Sequence, residues 1–83
     1  MEIRVMGSEE AFNRAFCAGK VPEGRAGWVL PLDGGHIARE FGFEWSAVVT
    51  VRRHSAWSMP AGRFCATQDD ARAWLKAYDA ECE

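Results

Sequence analysis

Two cysteines and two histidines are the side chains of this chain best suited to covalent chemistry. Cys17 or Cys65 beside His36 or His54 would form a thiol–imidazole pair, in which the histidine activates the thiol as a nucleophile. The spacing of these residues does not require such a pair, and alternation with Phe64 predicts that Cys65 faces solvent. We therefore interpret them as unreactive thiols and solvated histidines, and we predict no catalytic residue and no enzymatic activity.

The sequence predicts neither a metal nor a cofactor. Cys82, the third cysteine, is far from the other two along the chain, and the Cys-x-x-Cys spacing typical of zinc sites is missing. Gly34 and Gly35 lack the Lys-Ser/Thr of a nucleotide-binding loop, and a turn that needs positive φ explains both. We interpret the cysteines as reduced thiols, which together with the sequence of the N-terminus predicts a cytoplasmic protein.

The segment 54–60, His-Ser-Ala-Trp-Ser-Met-Pro, is the strongest candidate for a binding site. We interpret it as a seven-residue hairpin connection that exposes Trp57 and Met59. An exposed tryptophan is typical of binding hot spots, where a large rigid ring fills a pocket of the partner. Trp57 can equally fold back and cover the open end of a small core, and the sequence leaves both interpretations open.

Basic residues at the end of the same hairpin suggest nucleic-acid binding as an alternative. Residues 43–63 carry one acid against Arg52, Arg53 and Arg63, a net charge of +2, whereas residues 69–83 carry −3. Arginine and exposed tryptophan together can contact phosphates and stack on bases. The predicted partner-binding residues are therefore Trp57, Met59, Arg52, Arg53, Arg63 and His54.

The elements that position these residues are clearest in the second half of the chain. Residues 43–53 alternate as a long strand with one apolar face and one mostly wet face, and residues 61–66 predict a shorter strand. Thr67, followed three residues later by Asp70, is a helix N-cap. We expect the apolar stripe of the helix that follows to pack on the long strand. This predicts contacts of Trp74, Leu75 and Tyr78 with Trp45, Val49 and Val51.

The first half adds two strands and a helix. Residues 2–6 alternate as a strand, Ser8 caps a helix that runs to about Ala18, and residues 20–27 predict a surface loop. Residues 28–32 form a strand that Pro31 ends or places at an edge. Residues 36–41 fit either a strand or a short helix, of which we favour the helix. The fold class is α+β: a single domain, residues 1–83, built as a two-layer sandwich with an antiparallel sheet of three to four strands and two helices on one face.

Part of this pattern resembles the arm-binding N-terminal domain of tyrosine-type phage integrases. The resemblance covers residues 45–80. It lies in Trp45 at the start of a strand, Val-Thr-Val-Arg-Arg at 49–53, and Phe64-x-x-Thr67 leading into Asp70-Ala71-x-Ala73-Trp74-Leu75. It implies a three-stranded sheet backed by one helix that contacts DNA through the sheet.

The chain is also similar in type to phage-encoded inhibitors, including anti-CRISPR proteins. It is short, with 83 residues and a net charge of −2, and it lacks an apolar run long enough to cross a membrane. This similarity implies stoichiometric binding to a host protein or nucleoprotein complex. We therefore predict a non-enzymatic protein-binding module, of the kind represented by phage or mobile-element inhibitors. The alternative is a nucleic-acid-binding sheet that uses Arg52, Arg53 and Arg63.

Overall fold

The computed structural model describes residues 1–81 of the chain and shows one four-stranded sheet with an α-helix on each face. The elements in chain order are β1 (Glu2–Val5), α1 (Glu9–Cys17), β2 (Gly24–Pro31), a 3₁₀ helix (Ile37–Phe41), β3 (Trp45–Arg53), β4 (Ala56–Cys65) and α2 (Gln68–Glu81). The predicted α+β class is confirmed.

The sheet has the strand order β1-β2-β3-β4 and is mixed. β2 pairs antiparallel with β3, and β3 pairs antiparallel with β4. β1, however, runs parallel to β2, with Ile3 opposite Gly27. The prediction of an antiparallel sheet is therefore wrong for β1. The physical reason is the crossover through α1, which returns the chain to the same end of the sheet and permits parallel pairing of adjacent strands.

The two helices lie on opposite faces of the sheet, so the prediction of a two-layer sandwich with both helices on one face is wrong. Trp28 of β2 packs with Phe12 of α1, whereas the next residue, Val29, packs with Leu75 of α2. Successive side chains of a strand point to opposite faces. Residues 26–30 are all buried, and a strand that is apolar on both faces needs a layer on each side.

The core on the α2 face agrees with the sequence prediction in its centre. Leu75 is fully buried against Val29, Ala47 and Val49. The helix begins as expected, since the Asp70 backbone N–H donates to the Thr67 hydroxyl at 3.1 Å. Trp45, Trp74 and Tyr78 lie at the margin of this cluster and are partly buried.

The alternation of β3 predicted that its second face is exposed to solvent, and this prediction is wrong. Thr50 has no exposed surface, and its hydroxyl accepts a hydrogen bond of 2.8 Å from the indole Nε1 of Trp28. Phe12 meets the ring of Trp28 edge-on at 5.2 Å. A second core therefore lies under α1, and the small polar side chain of Thr50 belongs to it because it satisfies a buried indole N–H.

The hairpin between β3 and β4 is tighter than predicted. Arg53 pairs with Ala56, which leaves only His54 and Ser55 in the turn. β4 thus begins five residues before the predicted start at position 61, and it includes Pro60. Proline has no N–H to donate, but β4 is an edge strand of the sheet, where a proline is tolerated. The pairing with β3 also shifts register between Val49 and Val51, close to this proline.

The structure also decides the conformation of residues 37–41 and of the segment around β2. Residues 37–41 form a 3₁₀ helix that Gly42 ends with a φ of 89°, which confirms the helical interpretation. The predicted loop 20–27 is wrong in its second half, because β2 already begins at Gly24. The interpretation missed this start because Gly24, Arg25, Ala26 and Gly27 carry no hydrophobic alternation of their own. Pro31 ends β2, a central strand, and does not place it at an edge.

Candidate functional site

An apolar stripe runs along the edge strand β4 on the face of the sheet that α1 occupies. Trp57 lies opposite Arg52 and Phe64 lies opposite Ser46, so both point to that face, and Met59 lies between them beside Phe12 and Leu30. The exposed fractions of Trp57, Met59 and Phe64 are 53%, 53% and 44%. Three large apolar side chains thus remain half exposed in one row.

The stripe borders an open groove, which we call the α1-side groove. Its floor is formed by Leu30, Ser46 and Val48 of the two central strands. Its volume is about 190 Å³. A helix with side chains is about 10–12 Å wide and neighbouring strands are about 4.8 Å apart, so one helix covers about two strands. α1 packs against β2 through Phe12 and Trp28, and near the hairpin its Phe16 also reaches Trp57 of β4. The part of this face that stays open is the other end, over Ser46 and Val48 of β3 and beside Met59 and Phe64 of β4.

The walls of the groove differ in character. Glu9, Phe12 and Asn13 of α1 form one wall, and Met59 and Phe64 of β4 form the other. His36, just before the 3₁₀ helix, closes one end and meets the ring of Phe64 edge-on at 5.2 Å. The sequence prediction missed both His36 and Phe64 as parts of a binding surface.

Trp57 contributes to the core and to the surface at the same time. Its ring centroid lies 4.7 Å from that of Phe16 on α1, and Phe16 in turn contacts Phe12 at 4.5 Å. The tryptophan therefore closes the end of the α1 core with one part of its ring, while half of its surface faces solvent. The contact with Phe16 agrees with the interpretation of Trp57 as a cover for the core, and the hot-spot interpretation of its exposed half stays a prediction.

Arg52 is committed to the fold. Its Nη1 donates to the backbone carbonyl of Val21 at 2.6 Å and to that of Gly19 at 3.3 Å, and its Nε donates to the carbonyl of His54 at 2.8 Å. A carboxylate oxygen of Glu23 lies 3.9 Å from the same Nε. The guanidinium thus ties the segment after α1 to the end of β3, which leaves little of it for a ligand.

The other two predicted arginines do not join Arg52. Arg53 and Arg63 belong to the α2 face. Arg63 of β4 pairs with Ala47 of β3, which lies in the core under α2, and Arg53 is six residues after Ala47 on β3, an even number. Because Arg63 lies opposite Ala47, the two arginines are six residues apart along the sheet, which is about 20 Å at about 3.3 Å per residue. The three guanidinium groups therefore do not form one basic surface. His54 is at the hairpin tip with a φ of 59°, and its backbone N–H donates to Glu23 at 3.0 Å.

Cys65 and His54 are not placed as a thiol–imidazole pair. Cys65 is buried under α2, contrary to the expectation that it faces solvent, and burial raises the pKa of its thiol. The thiol therefore stays protonated at neutral pH. His54 lies at the opposite end of the β3–β4 hairpin from Cys65. Cys17 is exposed on α1, and Cys82 lies outside the described residues.

Two further properties concern residues 1–81. Their His, Cys, Asp and Glu side chains form no group of three that could hold a metal ion. Neither α1 nor α2, nor the 3₁₀ helix, has the length and apolar character needed to cross a membrane.

Comparison of the chain with family models, with curated proteins and with solved structures found no match. The resemblances to integrase arm-binding domains and to phage-encoded inhibitors therefore stay predictions from the sequence.

Proposed function

We propose that this chain is a non-enzymatic protein-binding module that contacts its partner through the α1-side groove. The observation that carries the proposal is the row of Trp57, Met59 and Phe64, which remains half exposed beside an uncovered part of the sheet. Aromatic residues and methionine are enriched at protein interfaces, and tryptophan in particular at hot spots. Such a row costs solubility when it is left open, which favours a surface that is covered by a partner.

The proposed mode of action is stoichiometric inhibition of a host protein or nucleoprotein complex, of the kind exerted by phage or mobile-element inhibitors. This part of the proposal is supported by the size and type of the chain. A small rigid domain with an apolar row can occlude a functional surface without any chemistry of its own.

Site-specific photo-crosslinking in the native host tests the binding proposal. A benzophenone amino acid would replace Met59 in one variant and Lys76 in a control variant, because Lys76 is exposed on α2, on the other side of the sheet. We expect a discrete crosslinked product only with the probe at position 59. An excess of unmodified chain should suppress it, and an excess of a Met59→Asp, Phe64→Asp variant should not.

Two results would contradict the proposal. One is equal crosslinking from positions 59 and 76, which would indicate nonspecific adhesion. The other is no crosslinked product from position 59 in a host that expresses the folded chain. If a complex is captured, titration of its activity with the chain should reach full inhibition at one chain per complex.

A further inference from the structure

His36 holds the start of the 3₁₀ helix and closes one end of the α1-side groove at the same time. Its Nδ1 accepts a hydrogen bond of 3.1 Å from the backbone N–H of Ala38, and its ring meets that of Phe64 on β4 edge-on. One wall of the same groove carries Glu9. We propose that His36 is a pH-sensitive latch: the neutral ring caps the 3₁₀ helix, and the protonated ring leaves Ala38 and turns to Glu9 across the groove.

The cap depends on the proton of the imidazole. A neutral imidazole has one nitrogen that donates and one that accepts, whereas both nitrogens donate in the protonated ring. Because Nδ1 accepts from Ala38, the neutral ring carries its proton on Nε2. A second proton has to bind at Nδ1, where it would face the N–H of Ala38. The hydrogen bond and the protonated ring therefore exclude each other, and histidine ordinarily changes its charge between about pH 5 and 8.

Loss of the cap acts on the segment between β2 and β3. Ala38 is buried, and its carbonyl accepts a hydrogen bond of 3.2 Å from the N–H of Phe43. A 3₁₀ helix has poorer hydrogen-bond geometry than an α-helix, so a short one depends on its caps. Without the acceptor on His36, the N–H of a buried residue has to reach water. We therefore expect the start of the 3₁₀ helix to loosen when His36 is protonated, while the sheet stays intact.

Glu9 is the charged group that receives the protonated ring. It lies in the first turn of α1 and lines the groove, and no ion pair within residues 1–81 involves it. β3 and β4 present the uncharged Ser46 and Phe64 to the same groove. The segment that carries His36 adds four charged side chains, all exposed and two of them paired with each other: Asp33, Glu40 and the pair of Arg39 and Glu44. A carboxylate ordinarily keeps its charge where histidine gains one, so protonation creates two opposite charges in one groove.

Nuclear magnetic resonance of the full chain tests the latch. At about pH 8 the ring nitrogens of His36 should show the tautomer with the proton on Nε2. On titration to about pH 5, the amide of Ala38 should shift and lose protection against hydrogen exchange with the same midpoint as the ring of His36. His54, exposed at the hairpin tip, is an internal control whose titration should leave Ala38 unchanged. The latch is a property of the chain alone, so its failure leaves the proposed function untouched.

Three variants make the titration specific. Asparagine in His36→Asn keeps an acceptor for the N–H of Ala38 and takes up no proton, so the amide of Ala38 should show no transition in this range. Glu9→Gln removes the charge that attracts the protonated ring, and the midpoint should move to lower pH by about 0.2–0.7 pH unit. Glu10→Gln is the matched control, because the Glu10 carboxylate is exposed and lies 2.7 Å from Arg14, and it should leave the midpoint unchanged.

Three results would overturn the latch. They are a neutral His36 with its proton on Nδ1, an amide of Ala38 that does not follow the ring of His36, and a transition at Ala38 that persists in His36→Asn. An equal midpoint in Glu9→Gln and the parent would overturn the movement of the protonated ring to Glu9.

Discussion

Trp57 and Phe16 hold β4 and α1 together at the hairpin end of the groove, with their ring centroids 4.7 Å apart. The contact links a residue of the edge strand to the core under α1, since Phe16 also contacts Phe12. The indole is thus held in place while half of its surface stays exposed. A large side chain that is already immobilised loses little conformational entropy on binding, which suits it to a hot spot.

Trp57→Ala should therefore affect both binding and stability, but unequally. We expect the affinity for the crosslinked partner to fall by about 2 kcal/mol or more, roughly thirtyfold. The free energy of unfolding should fall by only about 1 kcal/mol, because the aromatic contact with Phe16 is lost from a half-exposed position. Trp57→Phe, which keeps a ring on Phe16, is the control for stability. A large loss of stability with unchanged affinity would show that Trp57 covers the core and is not a binding hot spot.

Leu75 and Gly27 give a sharper test of the α2 face. Leu75→Ala should cost about 2–5 kcal/mol in denaturant-induced unfolding, since the side chain is fully buried. A Cβ on Gly27 would lie 3.1 Å from Cδ2 of Leu75, so Gly27→Ala should also destabilise the parent protein. In the Leu75→Ala background the same glycine change should cost less, because both crowding methyl groups of Leu75 are gone and only Cε of Met1, at the flexible end of its side chain, stays close, at 3.2 Å. Additive effects of the two changes would show that α2 is not docked over β2 as described.

The sequence predicted the elements of the second half of the fold well because their signals are local. The hydroxyl of Thr67 and the stripe that contains Leu75 both follow from spacing within one helix. The alternation around Val49 likewise identified the strand that Leu75 packs against. These features need no knowledge of the rest of the chain.

The placement of the layers could not be predicted in the same way, because it depends on contacts between distant segments. The direction of β1 and the side on which α1 packs follow from the crossover between β1 and β2, for which no single residue is a signal. Thr50 is a further example, since its burial depends on the indole of Trp28, 22 residues away. Pairing between distant segments also explains the error at residues 54–60. They were interpreted as a loop, but β4 begins at Ala56, so most of them belong to the sheet.

Thr50→Val should destabilise the protein although it adds apolar surface to a buried position. The change removes the acceptor of the Trp28 indole N–H and leaves this donor buried without a partner. The expected cost is about 1–3 kcal/mol, measured by chemical denaturation. Thr50→Ser keeps the hydroxyl and serves as the control for lost hydrogen bonding. Equal stability of the valine variant and the parent would show that this hydrogen bond does not stabilise the core.

Nucleic-acid binding should be weak or undetectable. Arg52 is held by backbone carbonyls, and Arg53 and Arg63 are too far apart to act with it on one short stretch of phosphates. Fluorescence anisotropy with single- and double-stranded DNA and RNA at low salt is the measurement. Tight binding that falls steeply with salt, and whose slope decreases in Arg53→Ala or Arg63→Ala, would revive the nucleic-acid alternative.

Acid should destabilise the fold through Asp79. Its Oδ2 accepts a hydrogen bond of 2.8 Å from the N-terminal ammonium of Met1, and its Oδ1 accepts one of 2.7 Å from Arg25. The ammonium first, and Arg25 second, hold the pKa of this carboxyl below its usual value of 3.8. Because the pKa is lower in the folded than in the unfolded state, the stabilisation is complete above the unfolded-state pKa and is lost as the pH falls through the folded-state pKa. Asp79→Asn should lower stability at neutral pH and flatten the acid limb of a stability-versus-pH curve measured by denaturation. An acid limb of the same steepness in the variant and the parent would assign the acid sensitivity to other carboxylates.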